Sequence, residues 1–381
     1  MEDPVIERYR KEFPVTGKFV YLDHAGIAPV SMRVVQAMRK YLDEASTGGA
    51  FYYPAWAQRT AEIRGACARL LNAGQDEIAF VRNTSHGLSL VAEGLAWKGG
   101  DNVLYFEKEF PSNIYPLQNL ARRGVTARPI PSTNGRAQIG DIEQLMDGNT
   151  RLVAISSVQF SNGYRTDLKR LGALCRSRNI LFCVDAIQSL GLLPMDVQEC
   201  SIDFLSADAH KWLMGPEGIG IFYCRKEHAG RLNPPLIGWK SVQNELDFDH
   251  PRFLLRDDAL RFEEGSQNLA GIFGLGAAIG LLQEAGIGNI EEQVLSLGDV
   301  IIQEAKERGF QVLTPGKRTE RGGNITIAGT FDPGVMRDRL RDRGIMVNAR
   351  GGGLRISPHF YNTADEILKL FGSIDELNKS T

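Results

Sequence analysis

Through the middle of the chain, short apolar runs alternate with stretches whose apolar residues recur at helical spacing. Runs of strand length occupy residues 77–81, 102–106, 125–130, 152–156, 180–185, 204–207 and 219–224, and helical patterns fill 88–95, 114–121 and 168–178. Such alternation predicts an α/β fold with a mostly parallel seven-stranded sheet and helices on both faces. The short gap between 204–207 and 219–224 permits a hairpin, so one antiparallel strand is expected. From 270 to 308 the pattern turns long and helical, broken near Gly286 and Gly288. A second α/β region follows, with strands at 323–328 and 354–357 and helices at 333–343 and 364–371. The expected division is a large domain over 18–265 and a smaller one built from 1–17 and 266–381, the long connecting helix included.

Composition narrows the function class. Of 381 residues, 43% are apolar and 24% charged, enough to bury a large core without disulfides or metals. With 44 basic and 46 acidic side chains the net charge is −2, so no long-range field gathers nucleic acid or anionic lipid. Neither partner is expected. The start, MEDPVIERYRKEF, lacks the apolar core of a signal peptide. The uncharged apolar stretch 270–282 falls short of the about 20 residues a membrane span needs. Five scattered cysteines form no CxxC pair. A cytoplasmic location and no membrane contact are expected. His24, His86, His228, His250 and His359 show no metal-ligand spacing with cysteines, so no metal is expected.

In open α/β sheets ligands bind beyond the carboxyl ends of strands, which directs attention to the residues there. Asp185 and Gln188 follow one run in VDAIQS; Asp185 is either a half-buried carboxylate seeking a cation or a helix cap. Asp208, His210 and Lys211 follow another in SADAHKWLMGPEGIG. A lone lysine is usually a surface residue, but this one is flanked by Trp212 and a glycine turn. Once buried, a neutral amine forms a Schiff base with a carbonyl. Thr84 and Ser85 open a helix pattern and suit either a phosphate cradle or simple capping. Phe110 lies in a short loop after 102–106, as core or as a flat stacking surface. Together these are the parts that hold pyridoxal phosphate: a lysine for the aldehyde, a carboxylate for the ring nitrogen, a phosphate cradle and an aromatic.

At this point the run DFLSADAHKWLMGPEGIGIFY, with VDAIQS before it and RFEEGSQNLAGIFGLGAAIGLL after it, resembles the class V aminotransferase family of pyridoxal-phosphate enzymes. That family includes cysteine desulfurases, kynureninases and isopenicillin N epimerase-like proteins. The similarity extends from YLDHAGIAPVS to LRISPHFYNTADEI, essentially the whole chain, and implies the type I fold of pyridoxal-phosphate transferases. By this resemblance Lys211 forms the Schiff base, Asp185 pairs with the ring nitrogen and Gln188 meets the phenolic oxygen. Thr84, Ser85 and His210 would bind the phosphate, and Phe110 would stack on the ring, as in kynureninase-like members. Ser266 resembles the hydroxyl that reaches the phosphate of a partner subunit, which implies a homodimer with shared sites. Arg355 resembles the arginine that clamps a substrate carboxylate. His24, in the amino-terminal loop with Asp23, and Trp239, in PPLIGWKS, are substrate-side candidates.

Two departures from the family pattern matter. Asp208 stands where many relatives carry a phosphate-binding serine, which leaves its role toward the cofactor open. The stretch GIMVNARGGGL, residues 344–354, has no cysteine, so the mobile-loop thiol of desulfurases is absent. The implied activity is therefore a class V aminotransferase acting on the α-amino group of an amino acid. A C–S or C–C lyase of kynureninase-like type and an amino-acid epimerase are the alternatives, and a cofactor-binding regulatory protein is the non-enzymatic one.

Overall fold

The computed structural model describes residues 4–379. Its central sheet has seven strands: β1 (Ile78–Val81), β2 (Asn102–Phe106), β3 (Thr126–Ile130), β4 (Thr150–Ser156), β5 (Leu181–Asp185), β6 (Phe204–Asp208) and β7 (Gly220–Cys224). They lie in the order β1-β7-β6-β5-β4-β2-β3. Only β7 runs antiparallel, pairing with β1 on one side and β6 on the other. The six parallel strands therefore end along one edge.

Alternate residues of each strand enter two separate cores, as a sheet covered on both faces requires. On β6, Leu205 and Ala207 join the core that also takes Trp56, Ile63, Ile272 and Ile279. Phe204 faces the other core, with Leu88, Val91 and Leu117. Helix α1 (Met32–Thr47) and helix α2 (Tyr53–Leu71) precede the sheet. Helix α3 (Thr84–Gly94) follows β1, α4 (Pro111–Gln118) follows β2 and α5 (Leu168–Ser177) follows β4. Asp185, Ser206 and Asp208 share the strand parity of Cys183 and Phe204. They therefore look toward α3 and α4.

The division expected at 265/266 is not where the cores part. Helix α6 (Leu269–Ala285) is apolar on nearly every side, and its Ile272, Phe273, Leu275 and Ile279 are buried with Trp56 and Ile63 of α2. It belongs to the large unit because only a helix covered all round buries such a surface. Gly286, at φ +84°, turns the chain into α7 (Ile287–Glu307). The two helices meet at 79°, and no single described helix is long and apolar enough to cross a membrane. The smaller unit has its own core beneath the sheet β8 (Gln311–Val312), β9 (Ile325–Ala328), β10 (Asn348–Arg350) and β11 (Gly353–Ile356), ordered β8-β9-β11-β10. Helices α8 (Pro333–Asp342) and α9 (Ala364–Lys379) cover it. Val20–Tyr21 pairs with Ile345–Met346, and the bridge from Asp23 to Ser357 ties the amino-terminal loop to the end of β11.

Candidate active site

The parallel strand ends bring five loops together. Lys211 leaves β6 and becomes largely buried. Burial pushes its amine down to about 8, against the pull of Asp185 and with the help of Arg355. Among the described residues its ammonium has no hydrogen-bond partner, and it lies 5.7 Å from the centre of the Phe110 ring. Phe110 is the extended cap of α4, fixed there by Pro111 at the helix start, and is 44% exposed, so a ring face is open.

Asp185 closes β5 and is 2% exposed. Its Oδ1 accepts from the amide of Ile187 at 2.9 Å and its Oδ2 from Asn113 Nδ2 at 3.1 Å. Burial pushes its carboxyl up to about 7, reinforced by the nearby Glu109. Both readings left open for it meet here: it caps the following turn and is a buried acid. Gln188 is held at both ends of its amide. Its Nε2 donates to Ala25 O at 3.0 Å, and its Oε1 accepts from Trp212 Nε1 at 2.9 Å. One amide hydrogen stays free to donate.

Thr84 and Ser85 open α3, whose cap is Asn83. Thr84 is buried, and its Oγ1 accepts from the Asp208 amide at 2.9 Å. Ser85 is exposed and shares a 2.7 Å hydrogen bond with Ser112. Gly87, one turn in, packs so closely on β6 that an added Cβ would lie 2.2 Å from Ser206 Oγ. The first turn of the helix is thereby drawn down to the strand end. The Asp208 carboxylate is engaged within its own loop: its Oδ1 accepts from the Ala209 amide at 2.8 Å and lies 3.1 Å from His210 Nδ1.

Arg355 on β11 is 3% exposed. Its Nη1 donates to Phe160 O at 3.0 Å and its Nη2 to Asp23 Oδ1 at 3.2 Å, while its Nε has no partner. Asp23 was legible only as part of a loop; its pairing with Arg355 appears once the amino-terminal loop closes on β11. Glu109 and Gln159 are further polar residues at the site that sequence reasoning missed, and Asn113 was legible only as part of the loop with Phe110. A glutamate just before Phe110 was the only available signal.

His24 departs from expectation. It is fully buried, its Nδ1 donates to Ser357 O at 2.9 Å, and its Nε2 is left to accept from the Tyr361 hydroxyl at 2.6 Å. Burial and the neighbouring His359 hold it well below the ordinary histidine range, so it is neutral. An imidazole with both nitrogens used inside the protein is a packing element rather than a substrate ligand. Trp239 lies on the surface against Phe248 and Lys240. Ser266 is also exposed and opens onto a different cavity, of about 560 Å³, with Tyr53, Trp56, Lys240 and Arg256. Neither residue is brought to Lys211 by its own chain. Elsewhere, ligand atoms of Asp203, Glu227 and His228 come within 4.8 Å of one another, but Arg225 already supplies Asp203 with a cation at 3.3 Å.

The polar atoms left over at the site test whether pyridoxal phosphate fits it. A partnerless amine, a buried carboxylate and an exposed ring face match the aldehyde, ring nitrogen and flat ring of that group. His86 Nε2, in the first turn of α3, is buried without a hydrogen-bond partner, whereas His210 Nδ1 lies 3.1 Å from Asp208 Oδ1. The free His86 nitrogen suits a phosphate, which the helix start also favours. The residues fit the group.

Comparison with known proteins agrees. The family Aminotransferase class-V matches residues 20–370. A probable cysteine desulfurase of Methanothermobacter thermautotrophicus is 31% identical, over 97% of this chain and 98% of its own length. An uncharacterized aminotransferase of Bacillus subtilis is 28% identical over 98% of both chains. The apo structure of a cysteine desulfurase from Thermococcus onnurineus superposes with a TM-score of 0.90 at 28% identity, covering 100% of this chain and 99% of that one. The chain belongs to the class V aminotransferase family of enzymes, with the type I fold and pyridoxal 5′-phosphate as cofactor.

Proposed function

We propose that the protein is an aminotransferase acting on the α-amino group of an amino acid, with Lys211 as its catalytic residue. The placement of Lys211 carries this reading: a largely buried amine over the Phe110 ring, its proton affinity lowered by burial and by the cationic Arg355 against the pull of Asp185. When bound, the cofactor supplies a sink for the electron pair left at the substrate Cα. Asp185 holds the proton on the ring nitrogen. Phe110 fixes the ring plane, and Gln188 donates its spare amide hydrogen toward the phenolic oxygen. Once free and neutral, the Lys211 amine would take the proton from the substrate Cα and hand it to the carbon that carried the cofactor's aldehyde, the transfer that transamination needs. Arg355 orients the substrate through its carboxylate.

A sulfur-accepting desulfurase needs a thiol at the pocket. The five cysteines are Cys67, Cys175, Cys183, Cys200 and Cys224, all outside residues 344–354. The second reading is a lyase that releases its sulfur product into solution, favoured by the relatives named cysteine desulfurase. A homodimer completes the proposal, with Ser266 serving the partner's site. Its interface would cover Phe51, Leu246, Phe248 and Phe253, which are 69–80% exposed. The unpaired cysteines suit a cytoplasmic setting.

Absorption of the holoenzyme during titration with a panel of amino acids, without keto acid, tests the reading. One keto acid released per site as the visible band disappears supports transamination. Continuous release of product under a persistent band overturns it in favour of the lyase.

A further inference from the structure

Glu109 is an acid that the reaction as described does not use. It lies at the end of the loop after β2, 4% exposed, and among the described residues no cation pairs with it. Its Oε1 accepts from the Ser156 amide at 2.7 Å and from Gln159 Nε2 at 2.9 Å. Its Oε2 accepts from the Ser156 hydroxyl and from Asn113 Nδ2 at 3.4 Å. Four donors converge on one carboxyl. The Ser156 hydroxyl alone among them has a lone pair to take a proton back, so the arrangement is built for an anion. Burial opposes this and pushes the carboxyl upward, but an ionised acid supplied with this many donors is the state the surroundings complement.

The same Asn113 Nδ2 that donates to Glu109 also donates to Asp185 Oδ2 at 3.1 Å, with Ser156 Oγ at 3.3 Å. Two carboxylates on one side of the amide fix which way Asn113 points, since a reversed amide would set its carbonyl oxygen against both. Asp185 thus always meets a donor from this direction. We infer that Glu109 is a positioning residue: through Asn113 it holds Asp185 aimed, and it adds a second buried negative charge behind the cofactor's ring nitrogen. This rests on the reading that Asp185 partners that nitrogen.

Charges around the pair are few. Asp185 is faced by Lys211, Asp208 and Glu109, and the Cys183 thiol lies behind it; Lys211 in turn is faced by Arg355 and Asp23. A negative field behind the ring nitrogen raises its proton affinity in the bound state. Binding of the protonated ring is then retained to higher pH, and is lost as pH rises through the bound value. Weakening the field moves that loss to lower pH.

The experiment measures equilibrium affinity of the apoprotein for pyridoxal phosphate against pH, beside a 1-deaza analogue whose ring has no nitrogen to protonate. Glu109→Gln is expected to weaken pyridoxal phosphate binding about tenfold on the alkaline side. It should leave affinity unchanged at acid pH and leave the analogue unaffected. Asn113→Ala cuts the bridge while Glu109 keeps its Ser156 and Gln159 donors, and should show the same pattern in part; it decides the matter if the first variant does not fold. Asp185→Asn is the reference. If Asp185→Asn separates cofactor from analogue but neither Glu109→Gln nor Asn113→Ala does, the inference is overturned. If Asp185→Asn itself fails to separate them, the reading of Asp185 falls and the inference with it. An equal loss for cofactor and analogue in the Glu109 variant would mean a purely structural role, and also overturns the inference.

Discussion

Arg355 Nη2 lies 3.2 Å from Asp23 Oδ1, so the guanidinium that would clamp a substrate carboxylate already holds one from its own chain. The other Asp23 oxygen accepts from Asn348 Nδ2 at 2.9 Å, which keeps the acid in place. Burial disfavours the Arg355 charge and Asp23 offsets that cost. An incoming carboxylate must therefore share a partly neutralised cation, entering on the unpaired Nε side. Asp23→Asn removes the competing charge while keeping an oxygen for the guanidinium. The Michaelis constant for a carboxylate substrate should fall several-fold, with no change for the corresponding amide. The same variant should lose about 1–3 kcal/mol of stability in urea unfolding, because a buried pair loses one charge. An unchanged ratio between acid and amide would separate Asp23 from substrate selection.

Lys211→Ala should abolish the visible absorption of the holoenzyme and reduce turnover by at least about a thousandfold, the scale of a lost general base. The proposed phosphate contacts at α3 are untouched in the variant, so cofactor should still bind there without the covalent link. Equilibrium dialysis together with the absorption spectrum distinguishes that outcome from simple loss of fold.

Proton affinity of Lys211 sets the pH at which the apoprotein captures its cofactor. The neutral amine is the nucleophile, so the capture rate should rise with pH and reach half its maximum near the value of about 8. Asp185 raises that value and Arg355 lowers it. Asp185→Asn should move the midpoint down and Arg355→Gln should move it up. Stopped-flow absorption against pH gives both midpoints, and a shift of the two in one direction would contradict the arrangement of charges.

Much of the fold is legible in the sequence because the central strands are buried on both faces and read as continuous apolar runs. β2 is found at the predicted residues 102–106, while β1, β3 and β5 begin one residue late and β6 extends to Asp208. Helix α3 starts at Thr84 rather than 88, since its first turn is polar and faces the site instead of the core. Strands β8 and β10, of two and three residues, are too short to leave a pattern. At the site, the residues just beyond strand ends could be picked out by position alone. Asp23 and Glu109 could not: one needs the amino-terminal loop folded against β11, the other needs Ser156 and Gln159, from the end of β4, brought onto the segment that carries Glu109 and Asn113. His24 misled for the opposite reason, because its burial against Ser357 and Tyr361 depends on residues more than 300 positions away.

The pair Arg64–Glu263 links α2 to the segment that leads into Ser266. Arg64 Nη1 lies 2.5 Å and Nη2 3.0 Å from the two Glu263 oxygens, and both side chains are buried. Glu263 Oε1 also accepts from the Phe80 amide at 2.7 Å, and Arg64 Nη1 donates to Ile78 O at 2.8 Å. Removing the acid leaves a buried guanidinium and an unpaired strand amide. Glu263→Ala should therefore cost about 3–5 kcal/mol. The Arg64→Ala, Glu263→Ala double variant should be less destabilised than the sum of the two, as a double-mutant cycle in urea would measure. Strict additivity would mean that the two charges act separately.

Gly87 offers a steric test of how α3 is seated. A methyl group there would meet Ser206 Oγ at 2.2 Å, Ser206 Cβ at 2.7 Å and Phe222 at 3.2 Å, all inside the packed sheet–helix interface. Neither Ser206 nor Phe222 can swing aside, since both are fully buried, and Ser206 Oγ is also bonded to Thr84 O at 3.2 Å. Gly87→Ala must lift the first turn of the helix off β6, carrying Thr84 and Ser85 with it. The cost should be about 1–3 kcal/mol, the usual range for overpacking. Affinity for cofactor should fall further than stability does, because the displaced turn is the proposed phosphate cradle. Ser206→Gly removes both of the nearest atoms and should restore cofactor affinity in the double variant, although Ser206→Gly alone lowers stability. If Gly87→Ala destabilises the protein but leaves cofactor affinity intact at a temperature where it is folded, the first turn of α3 is not the phosphate cradle.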